Sequence, residues 1–182
     1  MHKALGLVEV QNVTRGVVLA DTICKTSQVE LITAMPVCPG KFIILFSGDV
    51  ASIQAALDAA KAQGAEAIVD ELLLARLHPG VFPALTASTQ VKELKALGII
   101  ETYTIAAAIL AADAAAKAAD VALIEIRLAR GLGGKSFVYF TGDVASVTLA
   151  TEKAAAFARE QGVLLEHAVI AAPDPQLWKQ LV

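Results

Sequence analysis

The chain has 182 residues, 56% hydrophobic and only 5% aromatic, and a formal charge of −3 at neutral pH. That length allows one domain or two small ones with a real core, and an acidic balance without any Lys/Arg cluster excludes generic nucleic-acid binding. The longest stretch free of Asp, Glu, Lys and Arg, Leu77 to Val91, holds two prolines and predicts no membrane span, and no basic flank precedes an apolar run at the N-terminus, which argues against secretion.

Leu5–Val10 predicts a short apolar strand. A helix follows from Thr14, a residue suited to N-capping, with Ala20, Ile23, Cys24 and Ser27 along one stripe. Val29–Ala34 predicts the next strand, then "PVCPGK" (Pro36–Lys41) a stiff loop, then Phe42–Phe46 a strong strand. Asp49 predicts the cap of a second helix whose inward face is Val50, Ile53, Leu57 and Ala60. Ala67–Leu74 reads as a fourth strand, followed by a short turn or helix near Pro79–Leu85.

The pattern then starts again. "ALGLVEV" (Ala4–Val10) returns as "ALGIIET" (Ala96–Thr102), and "ADTICKTSQVEL" (Ala20–Leu31) as "ADAAAKAADVAL" (Ala112–Leu123). "SGDVASI" (Ser47–Ile53) returns as "TGDVASV" (Thr141–Val147), and "ARLHPGVF" (Ala75–Phe82) aligns with "AAPDPQLW" (Ala171–Trp178). The chain therefore predicts two copies of a β-α-β-β-α-β unit, residues 1–88 and 93–182, joined near Thr86–Lys92. The class is α+β, each sheet carrying its helices on one side.

The opening "LGLVE", the "AD…K" helix, the Gly-Lys loop, the "GDV" helix start and the "A-R-x-H" ending together resemble the bacterial microcompartment (BMC) shell domain. The resemblance covers nearly the whole chain, twice. It is that of a tandem-domain shell protein, BMC-T, in ordinary rather than circularly permuted order. The Cys-Pro-Gly-Lys loop is most similar to the type found in propanediol-utilisation shells. The resemblance implies a homotrimer forming a flat pseudohexameric tile, packed edge to edge with other shell proteins in a microcompartment of the cytoplasm. No nucleic-acid or membrane partner is implied.

In that family the loop between the second and third strands points at the central axis. The first copy supplies Pro36, Val37, Cys38, Pro39 and Gly40. The second supplies Gly131, Leu132, Gly133 and Gly134, in a longer loop with Leu132 where Cys38 would fall. The resemblance thus implies three Cys38 thiolates around one axis, ligands for a 4Fe–4S cluster whose fourth iron takes another ligand. It further implies electron transfer across the shell, to an encapsulated or cytosolic redox protein. Lys25 and Lys117 match the family's edge lysine. Arg76 and His78 match its edge Arg-x-His, with Leu77 replacing the usual proline. Ala172 and Asp174 stand in their places in the second copy, so half the edges should differ.

Plainer roles compete with these. A lone cysteine is most often a small buried side chain, and Cys24, on the helix stripe, is expected to be one. Two cysteines make no disulfide framework, and a reducing cytosol is the default. "ARGLGGKS" (Ala129–Ser136) satisfies a loose phosphate-loop pattern, but strand-like Phe137–Phe140 follows instead of the helix such a loop must open. Its glycines are expected to let backbones approach around the opening. Lys41 and Lys135 either set the charge of the opening or are ordinary strand-edge lysines, and Glu9 and Glu101 read as structural. His2, His78 and His167 are scattered, Asp49 and Asp143 read as helix caps, and no nucleophile–base–oxyanion set emerges, so no enzyme is expected. The alternatives to the cluster-bearing tile are a tile with an open pore for a small metabolite, a soluble trimeric regulator binding a small ligand, and last a thiol enzyme using Cys38.

Overall fold

The computed structural model describes residues 4–91 and 94–181. His2 and Lys92, both named above, lie outside them. The chain divides into two compact units, one ending at Leu77 and the other beginning at His78. That break precedes the boundary at 88 read from the repeat, because the segment after Leu77 packs with the second unit.

The first unit runs β1 (Ala4–Val10), α1 (Val13–Thr26), β2 (Glu30–Val37), β3 (Lys41–Gly48), α2 (Val50–Gly64) and β4 (Ile68–Leu74). Its antiparallel sheet has the order β2-β3-β1-β4. Alternate residues of β1 and β3, namely Ala4, Val8, Val10, Phe42, Ile44 and Phe46, join Leu19 and Ile23 of α1 and Ile53, Leu57 and Ala60 of α2 in one core. Each such fully buried large side chain contributes about 1.5–3 kcal/mol. The residues between them, Leu5, Leu7, Ile43 and Leu45, are buried too, so both faces of the central strands are apolar.

The second unit opens with α3 (Val81–Leu85) and repeats the order as β5 (Ala96–Thr102), α4 (Ile105–Ala118), β6 (Ala122–Leu128), β7 (Ser136–Gly142), α5 (Val144–Glu160) and β8 (Leu164–Ile170), closing with α6 (Pro175–Leu181). Its sheet order, β6-β7-β5-β8, is that of the first. Trp178 of α6 packs with Leu97 and Ile124. Among the described residues no helix is long and apolar enough to cross a membrane.

One close approach recurs in both units. A Cβ on Gly6 would lie 2.5 Å from the Phe46 ring, and one on Gly98 2.2 Å from that of Phe140, so only glycine fits under either ring. A second approach has diverged. A Cβ on Gly16 would lie 2.4 Å from Phe42, whereas the repeat puts Ala108 and Ser136, both fully buried, in these two places.

Several local expectations need correction. The cap of α1 is Asn12, whose side chain accepts the Arg15 N–H at 3.0 Å; Thr14 lies inside the first turn. Cys24 is exposed, because the buried stripe of α1 is Gly16, Leu19, Ala20 and Ile23 and the next residue turns about 100° away from it. Val50 is 49% exposed, as is Val144 to 48%, since each opens its helix beyond the reach of the core. Pro36 and Val37 belong to β2 and not to a loop; β2 is an edge strand, where the missing proline N–H is tolerated.

Candidate axial turn and edge residues

Because β2 runs on to Val37 and β3 starts at Lys41, the turn between them is only Cys38, Pro39 and Gly40. Val37 pairs with Lys41 across its mouth, and the Gly40 N–H donates to the Val37 carbonyl at 3.0 Å. Gly40 has φ +90, left-handed backbone that favours glycine. The Cys38–Pro39 peptide bond is cis. Cys38 is half-buried, at the tip of a hairpin with little freedom. Pro36, Pro39 and Gly40 are exposed and Val37 is buried.

The matching turn of the second unit is longer. Leu128 pairs with Ser136, and residues 129–135 bridge them. The Ser136 hydroxyl accepts the Ala129 N–H at 3.2 Å, and the Lys135 N–H donates to the Leu132 carbonyl at 3.2 Å. Gly131, Gly133 and Gly134 have φ +75, +63 and +95. No atom lies within 4 Å of a Cβ built on Gly131 or Gly133, so within the chain these glycines serve the turn's handedness. Ser136 opens β7, not a helix, so the phosphate-loop pattern lacks the helix N-terminus it needs.

Both turns are flanked by an ion pair that the sequence reading named only in parts. Lys41 Nζ reaches Glu9 Oε1 at 2.7 Å, and Lys135 Nζ reaches Glu101 Oε1 at 3.3 Å. A lysine stands at the β3 or β7 end of each turn and a glutamate is the last residue but one of each first strand, so the β1–β3 and β5–β7 pairings bring them together. In the second unit, Arg127 lies 5.3 Å from the Phe137 ring centre, a cation–π contact.

The expected edge residues separate into two groups. Lys25 is exposed and pairs with Asp21 at 2.6 Å, and Arg76 is exposed with φ +57. In the second unit, Lys117 and His78 converge on Asp113: Oδ2 takes the Lys117 ammonium and Oδ1 accepts the His78 N–H at 2.8 Å. His78 Nδ1 in turn accepts the Gly80 N–H at 3.2 Å. Asp113 had no role in the sequence reading; its only signal there is its place in the repeated "AD…K". His167 sits on β8. Among the described residues no group of three or more His, Cys, Asp or Glu side chains gathers as metal ligands, and the hairpin turn of the first unit carries one thiol, that of Cys38.

A β-α-β-β-α-β unit folded twice, with a short hairpin turn at the same place in each sheet, defines a tandem-domain α+β protein. The BMC domain model matches residues 4–77 and again 96–173, so the chain belongs to the BMC-domain family, with two copies of the domain. It is 36% identical over 182 residues, 100% of this chain and 99% of the relative, to the bacterial microcompartment shell protein PduT of Citrobacter freundii. The crystal structure of a microcompartment protein from Desulfitobacterium hafniense DCB superposes with a TM-score of 0.94 at 46% identity, covering 98% of this chain and 99% of that one. A fused permuted hexameric shell protein of the RMM microcompartment gives a TM-score of 0.61 at 26% identity, over 84% of this chain and 81% of that one.

Proposed function

We propose that this chain is a structural shell protein of a bacterial microcompartment, that three copies form one pseudohexameric tile, and that Cys38 of each copy holds a shared 4Fe–4S cluster. The observation that carries the reading is the asymmetry of the repeat: two like units, of which only one ends its hairpin in a thiol. Likeness to PduT, a shell protein over its whole length, supports the role in the shell. The tile packs edge to edge with other shell proteins and acts on no substrate of its own.

The residues fit a cluster only through symmetry. Three chains offer three soft thiolates, and the fourth iron takes a ligand from elsewhere. Such a cluster, when bound, supplies one-electron chemistry and gives a redox protein on either side of the shell something to exchange with. The chain's own part is to present the sulfur. The Val37–Lys41 pair and the Gly40 N–H bond hold the turn before any ligand arrives, so little loop entropy is left to lose on binding.

Protein purified without oxygen should be brown and contain iron and sulfide, and Cys38→Ser should be colourless with the mass of three chains. Wild-type protein that stays colourless after anaerobic reconstitution with iron and sulfide removes the cluster and leaves a tile with an open pore. Sheets or tubes in the electron microscope are expected of a tile; isolated trimers at high concentration count against it.

A further inference from the structure

The two hairpin turns differ in charge as well as in length. Cys38, Pro39 and Gly40 bring no Asp, Glu, Lys or Arg, whereas residues 129–135 bring Arg130 and Lys135 and no carboxylate. With Lys41, these cations stand at or beside the turns, and both lysines are already engaged. Lys41 reaches Glu9 at 2.7 Å and Lys135 reaches Glu101 at 3.3 Å. Arg130 is exposed, and among the described residues its guanidinium meets no carboxylate, whereas Arg15 holds Glu66 and Arg127 holds Glu125.

The backbone on either side of Arg130 is fixed. Ala129 has φ +52 and Gly131 φ +75, so a left-handed residue stands before it and another after it. Alanine rarely enters that region, and Ala129 is kept there by its surroundings: it is fully buried, and its N–H is tied to the Ser136 hydroxyl at 3.2 Å. Arg130 therefore leaves the hairpin from a seated base.

A 4Fe–4S core held by three thiolates is an anion, and one-electron reduction adds a further negative charge. A cation held near such a core favours the reduced form, and local charge is among the factors that set a cluster's potential. In the tile described above, the second-unit turns alternate with the Cys38 turns around one axis. We propose that Arg130 is the counter-charge of that cluster, three guanidiniums raising its reduction potential while Cys38 supplies the ligands. The inference rests on the three-chain, cluster-bearing reading and deepens it by giving the second unit's longer turn a task. The electron comes from a one-electron donor, and no bond to Arg130 forms or breaks. Guanidinium keeps its charge at every working pH, so its contribution is constant.

The test is a redox titration of the full-length protein, reconstituted anaerobically with iron and sulfide, using dithionite and mediator dyes. Electron paramagnetic resonance reads the reduced cluster. At the wild-type midpoint, Arg130→Gln should leave the ratio of reduced to oxidised cluster about tenfold lower, which is about 59 mV for a one-electron couple. Arg130→Lys should stay near wild type, and Arg130→Glu should fall further than Arg130→Gln. Iron content and the mass of three chains should be unchanged. Because Arg130 is exposed, the difference should shrink in about 1 M salt, where the Debye length is about 3 Å.

The outcomes separate the counter-charge from the reading beneath it. A wild type that takes up no cluster overturns both. A loaded wild type whose potential neither Arg130→Gln nor Arg130→Glu moves overturns the counter-charge alone. A shift that 1 M salt leaves undiminished also overturns it, since altered packing is then the cause. Iron lost from Arg130→Gln but retained by Arg130→Lys supports it, as a cation the cluster needs; iron or the three-chain mass lost from both variants overturns it.

Discussion

Lys41 Nζ stands 2.7 Å from Glu9 Oε1, on a glutamate side chain only 5% exposed. Removing the ammonium leaves a buried carboxylate without its cation, so Lys41→Met should lower stability by about 2 kcal/mol in urea unfolding. The repeated pair is longer, 3.3 Å, and its glutamate is 34% exposed, so Lys135→Met should cost under about 1 kcal/mol. Equal losses would show that burial does not set the strength of these pairs.

The helix caps predict an acid-sensitive fold. The Ser52 N–H, then the Ser52 hydroxyl, bond to Asp49 and hold its carboxyl below the ordinary value; Ser146 does the same for Asp143. A lowered folded pKa means that this stability is fully present above the unfolded value of 3.8 and is lost as pH falls through the folded one. Melting temperature should therefore drop between neutral pH and about pH 3, and drop less in the Asp49→Asn, Asp143→Asn double variant, which keeps both caps but not their titration.

Gly6 lies under the Phe46 ring with no room for a methyl group. Gly6→Ala should cost about 1–3 kcal/mol through overpacking. Adding Phe46→Leu should recover part of that loss, a coupling that a double-mutant cycle reads directly.

Thr151 is buried, and its hydroxyl has no hydrogen-bond partner among the described residues. The repeat puts Leu57 in this place in the first unit. Thr151→Val replaces an unpaired hydroxyl by a methyl group of similar size and should stabilise the chain by about 1 kcal/mol.

Much of this architecture was legible because the repeat checks itself: two stretches that agree on strand, cap and turn support each other. Asp49 and Asp143 read correctly as caps because each stands directly before an apolar helical run. The start of α1 was harder, since Asn12 and Thr14 both suit the role and only the direction in which the chain leaves β1 decides between them. Cys24 misled because a stripe drawn from Ala20 differs by one residue from the stripe that meets the sheet. The Glu9–Lys41 pair needed the strand register before two separately noticed residues became one interaction. Nothing in a linear reading ties His78 to Asp113, which only the packing of α3 brings together.

The divergence of Gly16 and Phe42 into Ala108 and Ser136 has a genetic corollary. In one half a large strand residue meets a helix glycine, and in the other a small strand residue meets a helix alanine, so the partners had to change in step. Copying β3 alone over β7 would drive a phenylalanine into space held by alanine, and the reverse exchange would hollow out the first half. Gene conversion between the duplicated segments is thereby penalised, which leaves each half at liberty to keep a hairpin of its own.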